Sequence, residues 1–265
     1  VPDSLSVNGI DVAYDAQGGG EPFILLHGWT GGRVDWAGVV VDLATRHRVI
    51  TLDHRGHGDS TNTGDPVTYT FDQLAEDFSA FVDALGVERF DLLGHSMGGI
   101  VAMRYALGHP ERLRSLILMD TGGAATPGSG KWMQPALDLV AAKGTDAFFE
   151  VAKSALGDGP AGDRARIEYK QKLAAMDPVA FVALGRELTT HPSMLDRLAT
   201  LALPTTVIVG ENDVGLRSSS DDLTAAIPDA VLDVIPDAAH SPQVENRSGW
   251  LAAVDRHFAR STNVA

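Results

Sequence analysis

The residues best placed to do chemistry are Gly94-His95-Ser96-Met97-Gly98, directly after the apolar run Phe90 to Leu93 and directly before a helical pattern. A strand entering a helix through so sharp a turn leaves little room beside its central residue. Glycines two positions either side therefore allow Ser96 a strained, exposed position. The following helix adds its positive N-terminal end, which favours a developing oxyanion. A serine hydroxyl is a weak nucleophile near neutral pH and needs a base within hydrogen-bond reach. Of the 9 histidines, His240 in Pro236-Asp237-Ala238-Ala239-His240-Ser241-Pro242 follows the last strand pattern and precedes the last helix. That is the sheet edge where Ser96 also emerges, and Ala238 and Ala239 keep the approach uncluttered. A carboxylate must in turn hold the tautomer of the base and stabilise its imidazolium. Two aspartates stand at strand ends: Asp213, just past Thr205 to Val209, and Asp120, just past Leu116 to Met119. Together these groups suit acyl transfer at a carbonyl.

The elements that must position them are legible as alternating patterns. Asn8-Gly9 reads as a two-residue hairpin turn, because both central positions need positive φ. Short apolar runs suited to strands buried on both faces follow at Phe23 to Leu26, Arg48 to Leu52, Phe90 to Leu93, Leu116 to Met119, Thr205 to Val209 and Val231 to Ile235. Between them lie helical patterns. One carries Phe71, Leu74, Phe78, Phe81, Val82 and Leu85 behind a capping box of Thr70 and Gln73, and ends at Gly86. Another runs from Met97 to about Gly108, and a last one holds Trp250, Leu251, Val254 and Phe258. The alternation predicts an α/β fold: a mostly parallel central sheet with helices on both faces and a ligand site at the carboxyl ends of the strands. It breaks between about Thr121 and Ala199, where Gly, Thr and Pro lead into helical segments without a strand. The expected organisation is a core of residues 1–120 and 200–265 with a helical cap, 121–199, inserted in it. Trp132, Met133, Leu137, Phe148, Phe149, Met176 and Phe181 are expected to face the cap's own core or a pocket beneath it.

At these residues the chain resembles the α/β-hydrolase family over nearly its whole length, and more specifically its serine carboxylesterase-like members. His27-Gly28-Trp29 is similar to the family's oxyanion loop, and Asp53-His54-Arg55-Gly56-His57-Gly58-Asp59-Ser60 to its turn after the next strand. The resemblance implies that the backbone N–H groups of Trp29 and Met97 form the oxyanion hole. It also implies the chain order Ser, acid, His, met by Ser96, Asp213 and His240, with Asp120 as the alternative acid because some relatives place it after that earlier strand. The remaining loop histidines, His27, His54 and His57, read as structural. A serine at position 96 argues against members that displace halide or open epoxides through an aspartate there.

Composition narrows the partners. A hydrophobic share of 44% against 21% charged residues supports a large core, and 265 residues fit one domain carrying an insertion. The net charge of -14 repels phosphate backbones and anionic membranes, so neither nucleic acid nor membrane is expected as a partner. With no cysteine there is neither a disulfide nor a thiolate site. No metal ligand spacing stands out, and Gly18-Gly19-Gly20 lacks the Lys of a phosphate loop and reads as a hairpin connection. No cofactor is expected. The absence of a leader pattern or a spanning apolar run makes a cytoplasmic protein the default expectation, with secretion left open.

The expected activity is hydrolysis of small to medium apolar carboxylic esters through an acyl-enzyme on Ser96. Lactone hydrolysis, carbon-carbon bond hydrolysis and cofactor-free peroxyacid formation use the same triad and remain alternatives, as does a ligand receptor without catalysis. Arg33, Arg186 and Arg197 keep open a carboxylate on the substrate.

Overall fold

Asn8 and Gly9 both sit at positive φ, 49° and 76°, and fold β1 (Asp3–Val7) back onto β2 (Ile10–Gln17) with Val7 opposite Ile10. The computed structural model of the chain describes residues 2–157 and 159–261. The hairpin is one edge of an eight-stranded sheet. Its other strands are β3 (Pro22–Leu26), β4 (Arg48–Leu52), β5 (Phe90–His95), β6 (Leu113–Met119), β7 (Thr205–Gly210) and β8 (Val231–Ile235). The spatial order is β1-β2-β4-β3-β5-β6-β7-β8. β1 and β2 run antiparallel to their neighbours and every pairing from β4 onward is parallel.

Successive side chains of a strand point to opposite faces, which divides the apolar runs between two cores. Ile24, Leu26, Ile50, Leu52, Leu92, Leu116, Leu118 and Val207 meet α2 (Phe71–Ala84) and α3 (Met97–Gly108) on one face. Phe23, Leu25, Val49, Leu93, Ile117, Met119 and Ile208 meet α1 (Ala37–Leu43) and α11 (Arg247–Ser261) on the other, around Trp36 and Trp250. Helix α2 begins where expected, the Thr70 hydroxyl accepting from the Gln73 N–H at 3.1 Å, and ends at Gly86 with φ 68°.

Between β6 and β7 the described residues form only helices: α4 (Ser129–Lys143), α5 (Thr145–Ala152), α6 (Gly159–Ala174), α7 (Pro178–Leu188) and α8 (Leu195–Leu198), with a short 3-10 turn after α5. α9 (Val214–Ala226) follows β7, and α10 (Pro242–Glu245) precedes α11.

Three expectations are corrected. β8 is an edge strand, exposed at Val231 and only half-buried from Leu232 to Val234, so its apolar run does not mark burial on both faces. Gly18-Gly19-Gly20 is not a hairpin connection: β2 pairs with β4, and the glycines carry the chain on to β3. Gly18 itself, at φ 85°, packs its α-carbon against the backbone of Ala44 and His47. Trp132 faces neither a core nor a pocket, since it is 68% exposed, whereas Met133, Leu137, Phe149, Met176 and Phe181 are buried.

Candidate active site

Ser96 stands between β5 and α3 at φ 53° and ψ -118°, a conformation that L side chains rarely adopt. Close packing imposes it. A Cβ on Gly98 would stand 2.5 Å from Leu26 O and 2.6 Å from His27 O, and one on Gly94 would stand 2.6 Å from Gly99 Cα. These contacts are with backbone, which cannot swing aside. The Ser96 N–H donates to Met119 O at 2.9 Å, tying the turn to β6. The hydroxyl is left partly accessible at the carboxyl edge of the sheet.

His240 comes to it from the loop after β8. Its Nε2 lies 3.1 Å from Ser96 Oγ and its Nδ1 lies 2.7 Å from Asp213 Oδ2. Asp213 is in the turn between β7 and α9. Burial works against its ionised form, but the hydrogen bond and charge of His240 outweigh this and hold the carboxyl below its ordinary range. His95, inside the elbow, donates through Nε2 to the His240 carbonyl at 2.7 Å and so fixes the backbone of the opposite loop.

Asp120 directly follows β6, at φ 43°, and is fully buried. Its Oδ1 accepts from the Gly210 N–H at 2.9 Å, its Oδ2 meets no hydrogen-bond partner, and it does not bond to His240. Burial first, then the nearby Asp213 and Glu245 charges, push its carboxyl far above the ordinary range. One side-chain nitrogen or oxygen from each of Asp120, Asp213 and His240 lies within 4.8 Å of the others. His240 Nδ1 and Asp213 are already joined to one another, and Asp120 stands beside that pair.

The loop after β3 faces the same point. His27 Nε2 accepts from the His54 N–H at 3.0 Å, which leaves Nδ1 as the protonated nitrogen, donating to Gly28 O at 2.8 Å. Gly28 O also accepts from the Gly31 N–H at 3.0 Å. With that carbonyl held by two donors, the planar trans peptide turns the Trp29 N–H the opposite way. Among the described residues neither the Trp29 N–H nor the Met97 N–H has an acceptor. Burial drives His27 down to about 3, so its ring stays neutral and its tautomer constant. His57 is likewise lowered by burial and contacts Trp29 O at 2.5 Å through Nε2. The Trp29 indole packs on Phe181, with ring centroids 4.3 Å apart, and donates to Phe181 O at 3.0 Å.

Beside Ser96 is a cavity of about 50 Å³ lined by Ile100, Thr121, Thr126, Leu188, His191 and Leu216 among others. None of Arg33, Arg186 and Arg197 lines it. Arg33 is committed to Asp15 at 2.9 Å, Asp59 at 2.6 Å and Asp53. Thr121 and Thr126, in the loop between β6 and α4, and His191, in the loop between α7 and α8, were not anticipated from the sequence, because nothing local marks a loop residue as lining a cavity. His95 was visible inside the elbow, but its partner is a backbone carbonyl 145 residues away.

A family model described as alpha/beta hydrolase fold matches residues 21–247. The chain belongs to the alpha/beta hydrolase family. Within it, the chain is 30% identical over 259 residues to the pimeloyl-[acyl-carrier protein] methyl ester esterase of Aeromonas hydrophila, covering 94% of this chain and 99% of that protein. Among solved structures it is similar to a thermophilic esterase from Thermogutta terrifontis, 28% identical, TM-score 0.83, covering 98% of this chain and 97% of that one. A hydrolase from Pseudomonas aeruginosa is 26% identical with TM-score 0.85, over 97% of this chain and 98% of that one. Hydrolysis is common to these alpha/beta hydrolases, and the chain is a hydrolase. No helix among the described residues is long and apolar enough to cross a membrane.

Proposed function

We propose that this alpha/beta hydrolase cleaves small carboxylic esters, with Ser96 as nucleophile, His240 as base and Asp213 as the acid that orients it. The observation that carries the reading is the unbroken line from Ser96 Oγ to His240 Nε2, 3.1 Å, and from His240 Nδ1 to Asp213 Oδ2, 2.7 Å. Ser96 attacks the ester carbonyl, and His240 takes the hydroxyl proton and returns it to the leaving alkoxide. Water then repeats the sequence on the acyl-enzyme. The oxyanion of each tetrahedral intermediate accepts from the Trp29 and Met97 N–H groups, which need no reorganisation because their peptides are already held. No step calls for a metal or an organic cofactor. Residues 121–199 serve as a cap over a core of 1–120 and 200–265, and the partner is a small-molecule ester.

The size of the acyl group follows from packing. Met133, Leu137, Phe149, Met176 and Phe181 of the insertion are buried in the core, and the cavity at Ser96, about 50 Å³, is far below the roughly 300–1,000 Å³ that holds a drug-sized ligand. Acetyl and propionyl esters fit it better than long chains, which narrows the expectation of small to medium acyl groups to its small end. The test is a p-nitrophenyl ester series from acetate to palmitate, run beside a small lactone, with fluorophosphonate labelling of the wild type and Ser96→Ala. Turnover is expected to peak at short acyl chains, and Ser96→Ala is expected to lose both labelling and turnover. Undiminished turnover by Ser96→Ala removes the nucleophile, and a clear preference for the lactone replaces the ester reading.

A further inference from the structure

Asp120 is a carboxyl group that the proposed reaction does not use, set in a place where a second negative charge is hard to hold. It is fully buried, and its one hydrogen bond comes from the Gly210 N–H to Oδ1. Its Oδ2 is buried and meets no donor. An ionised carboxylate exposes acceptors only, and an orphaned one in a buried site costs more than a neutral acceptor does. The charged and titratable groups around it add to that cost. From the turn after β7 comes Asp213, and from α10, after β8, comes Glu245; both are acidic. His240 comes from the loop after β8, but its Nδ1 is committed to Asp213. From the segment between α7 and α8 comes His191, which lines the same cavity and which burial lowers. Among the described residues no lysine or arginine lines the cavity or pairs with Asp120.

We propose that Asp120 is a positioning residue that works as a neutral carboxylic acid, its buried Oδ2 carrying a proton and donating it as a hydrogen bond to the Asp213 carboxylate. This rests on the reading of Ser96, His240 and Asp213 given above and extends it by one group. Within 4.8 Å the two carboxyls and the imidazole then share a single negative charge, on Asp213. The hydrogen bond from Asp120 locks the Asp213 carboxylate in the rotamer that presents Oδ2 to His240 Nδ1. Direct contact with the substrate is not required of Asp120. Burial supports the protonated form by raising the carboxyl far above its ordinary range. The positive φ of Asp120, together with its N–H donating to Ile208 O at 2.9 Å, fixes the backbone that aims the side chain.

The arrangement predicts how activity ends at alkaline pH. When Asp120 loses its proton, two carboxylates face each other, the hydrogen bond becomes a repulsion, and Asp213 is pushed off His240. The wild type should therefore show an alkaline falling limb in kcat that Asp120→Asn lacks. Asparagine keeps both a donor for Asp213 and an acceptor for Gly210 but has no proton to lose. Its neutral-pH kcat should stay within several-fold of wild type, while Asp120→Ala, with neither group, should lose roughly 10- to 100-fold in kcat with little change in KM, the range for a partner that orients a reacting side chain. Circular dichroism of each variant checks that the fold persists. A second readout is independent of turnover: the infrared difference spectrum of wild type minus Asp120→Asn at neutral pH should contain the C=O stretch of a protonated carboxylic acid. A carboxylate band in its place overturns the proposal, and so does an alkaline limb that Asp120→Asn retains unchanged. If wild type fails to hydrolyse any ester, the functional reading falls while the infrared spectrum still decides the protonation of Asp120.

Discussion

The two halves of the candidate site are held in opposite ways. Ser96, Met97 and the His27 loop belong to a buried elbow where glycine α-carbons touch neighbouring backbone, and where His27 and His95 lie under the surface at 0% and 6% exposure. His240 stands on a loop with 49% of its side chain exposed, held at Nδ1 by Asp213 and at its carbonyl by His95. Ser96 is thus fixed by excluded volume and His240 by a few hydrogen bonds. Damage to the first half should appear mainly as lost stability, and damage to the second mainly as lost turnover.

The largest expected effect is on the base half. Asp213→Asn removes the charge that orients His240 and favours the wrong tautomer, which costs about 10⁴ in kcat in the best-studied triad. Thermal stability should change little, because Asp213 is only partly buried. Steady-state kinetics on p-nitrophenyl acetate beside a melting curve checks both, and a variant that instead melts early with near-normal kcat erases the contrast.

The elbow half should reveal itself through acid sensitivity. His27 and His95 are lowered to about 3 from 6.5, as is His257 beneath the sheet, burial being the main cause in each. These rings are neutral in the fold and take up a proton in the unfolded chain, so between pH 6.5 and about 3 the unfolded state binds more protons. Stability is therefore whole above that window and falls as pH drops through it, by about 1.4 kcal/mol per pH unit for each ring fully titrating. Urea midpoints measured from neutral pH downward should decline from near 6.5, and a flat profile to pH 5 contradicts the neutral burial of these rings.

Gly98→Ala gives a smaller effect of the same kind. Its Cβ must be accommodated 2.5 Å from Leu26 O, so about 1–3 kcal/mol of overpacking is expected, with Ser96 displaced as the turn opens. Urea unfolding with fluorophosphonate labelling measures both, and a variant with wild-type stability shows that the elbow has slack. The smallest effect is assigned to His95→Gln, which retains a donor for the His240 carbonyl. Within-tenfold kcat is expected, about 1.4 kcal/mol at most. A larger loss would mean that the exposed loop depends on the ring of His95 as well as on its hydrogen bond.

Much of the core was legible in the sequence because short apolar runs, glycine at the elbow and the Asn8-Gly9 turn are local signals. The run Arg48 to Leu52 is β4 to the residue. The run Val231 to Ile235 also has the right bounds, but whether a neighbour covers a strand is a property of the sheet and cannot be read from five apolar residues. Ser96, Asp213 and His240, the proposed triad, could be picked out because each follows a recognisable strand. Their separation from Asp120 could not: both aspartates end strands, and only the hydrogen bonds to His240 and Gly210 tell them apart. The insertion was the least legible region. Apolar residues at helical spacing say that helices pack, but not on what, and so Trp132 on the surface and Thr121, Thr126 and His191 around the cavity were not anticipated.

The crowding around Gly94 and Gly98 also sets where this catalyst can be altered. A side chain at either position has only backbone to push against, so random variation there yields misfolded clones rather than new selectivity. The cavity wall offers the opposite prospect, because Thr126, Leu188, His191 and Leu216 surround empty space and carry none of the proposed proton transfers. A directed-evolution library aimed at substrate range is best spent on those four positions with the elbow left untouched. Its survivors should differ in which acyl group they accept while sharing one unchanged nucleophile geometry.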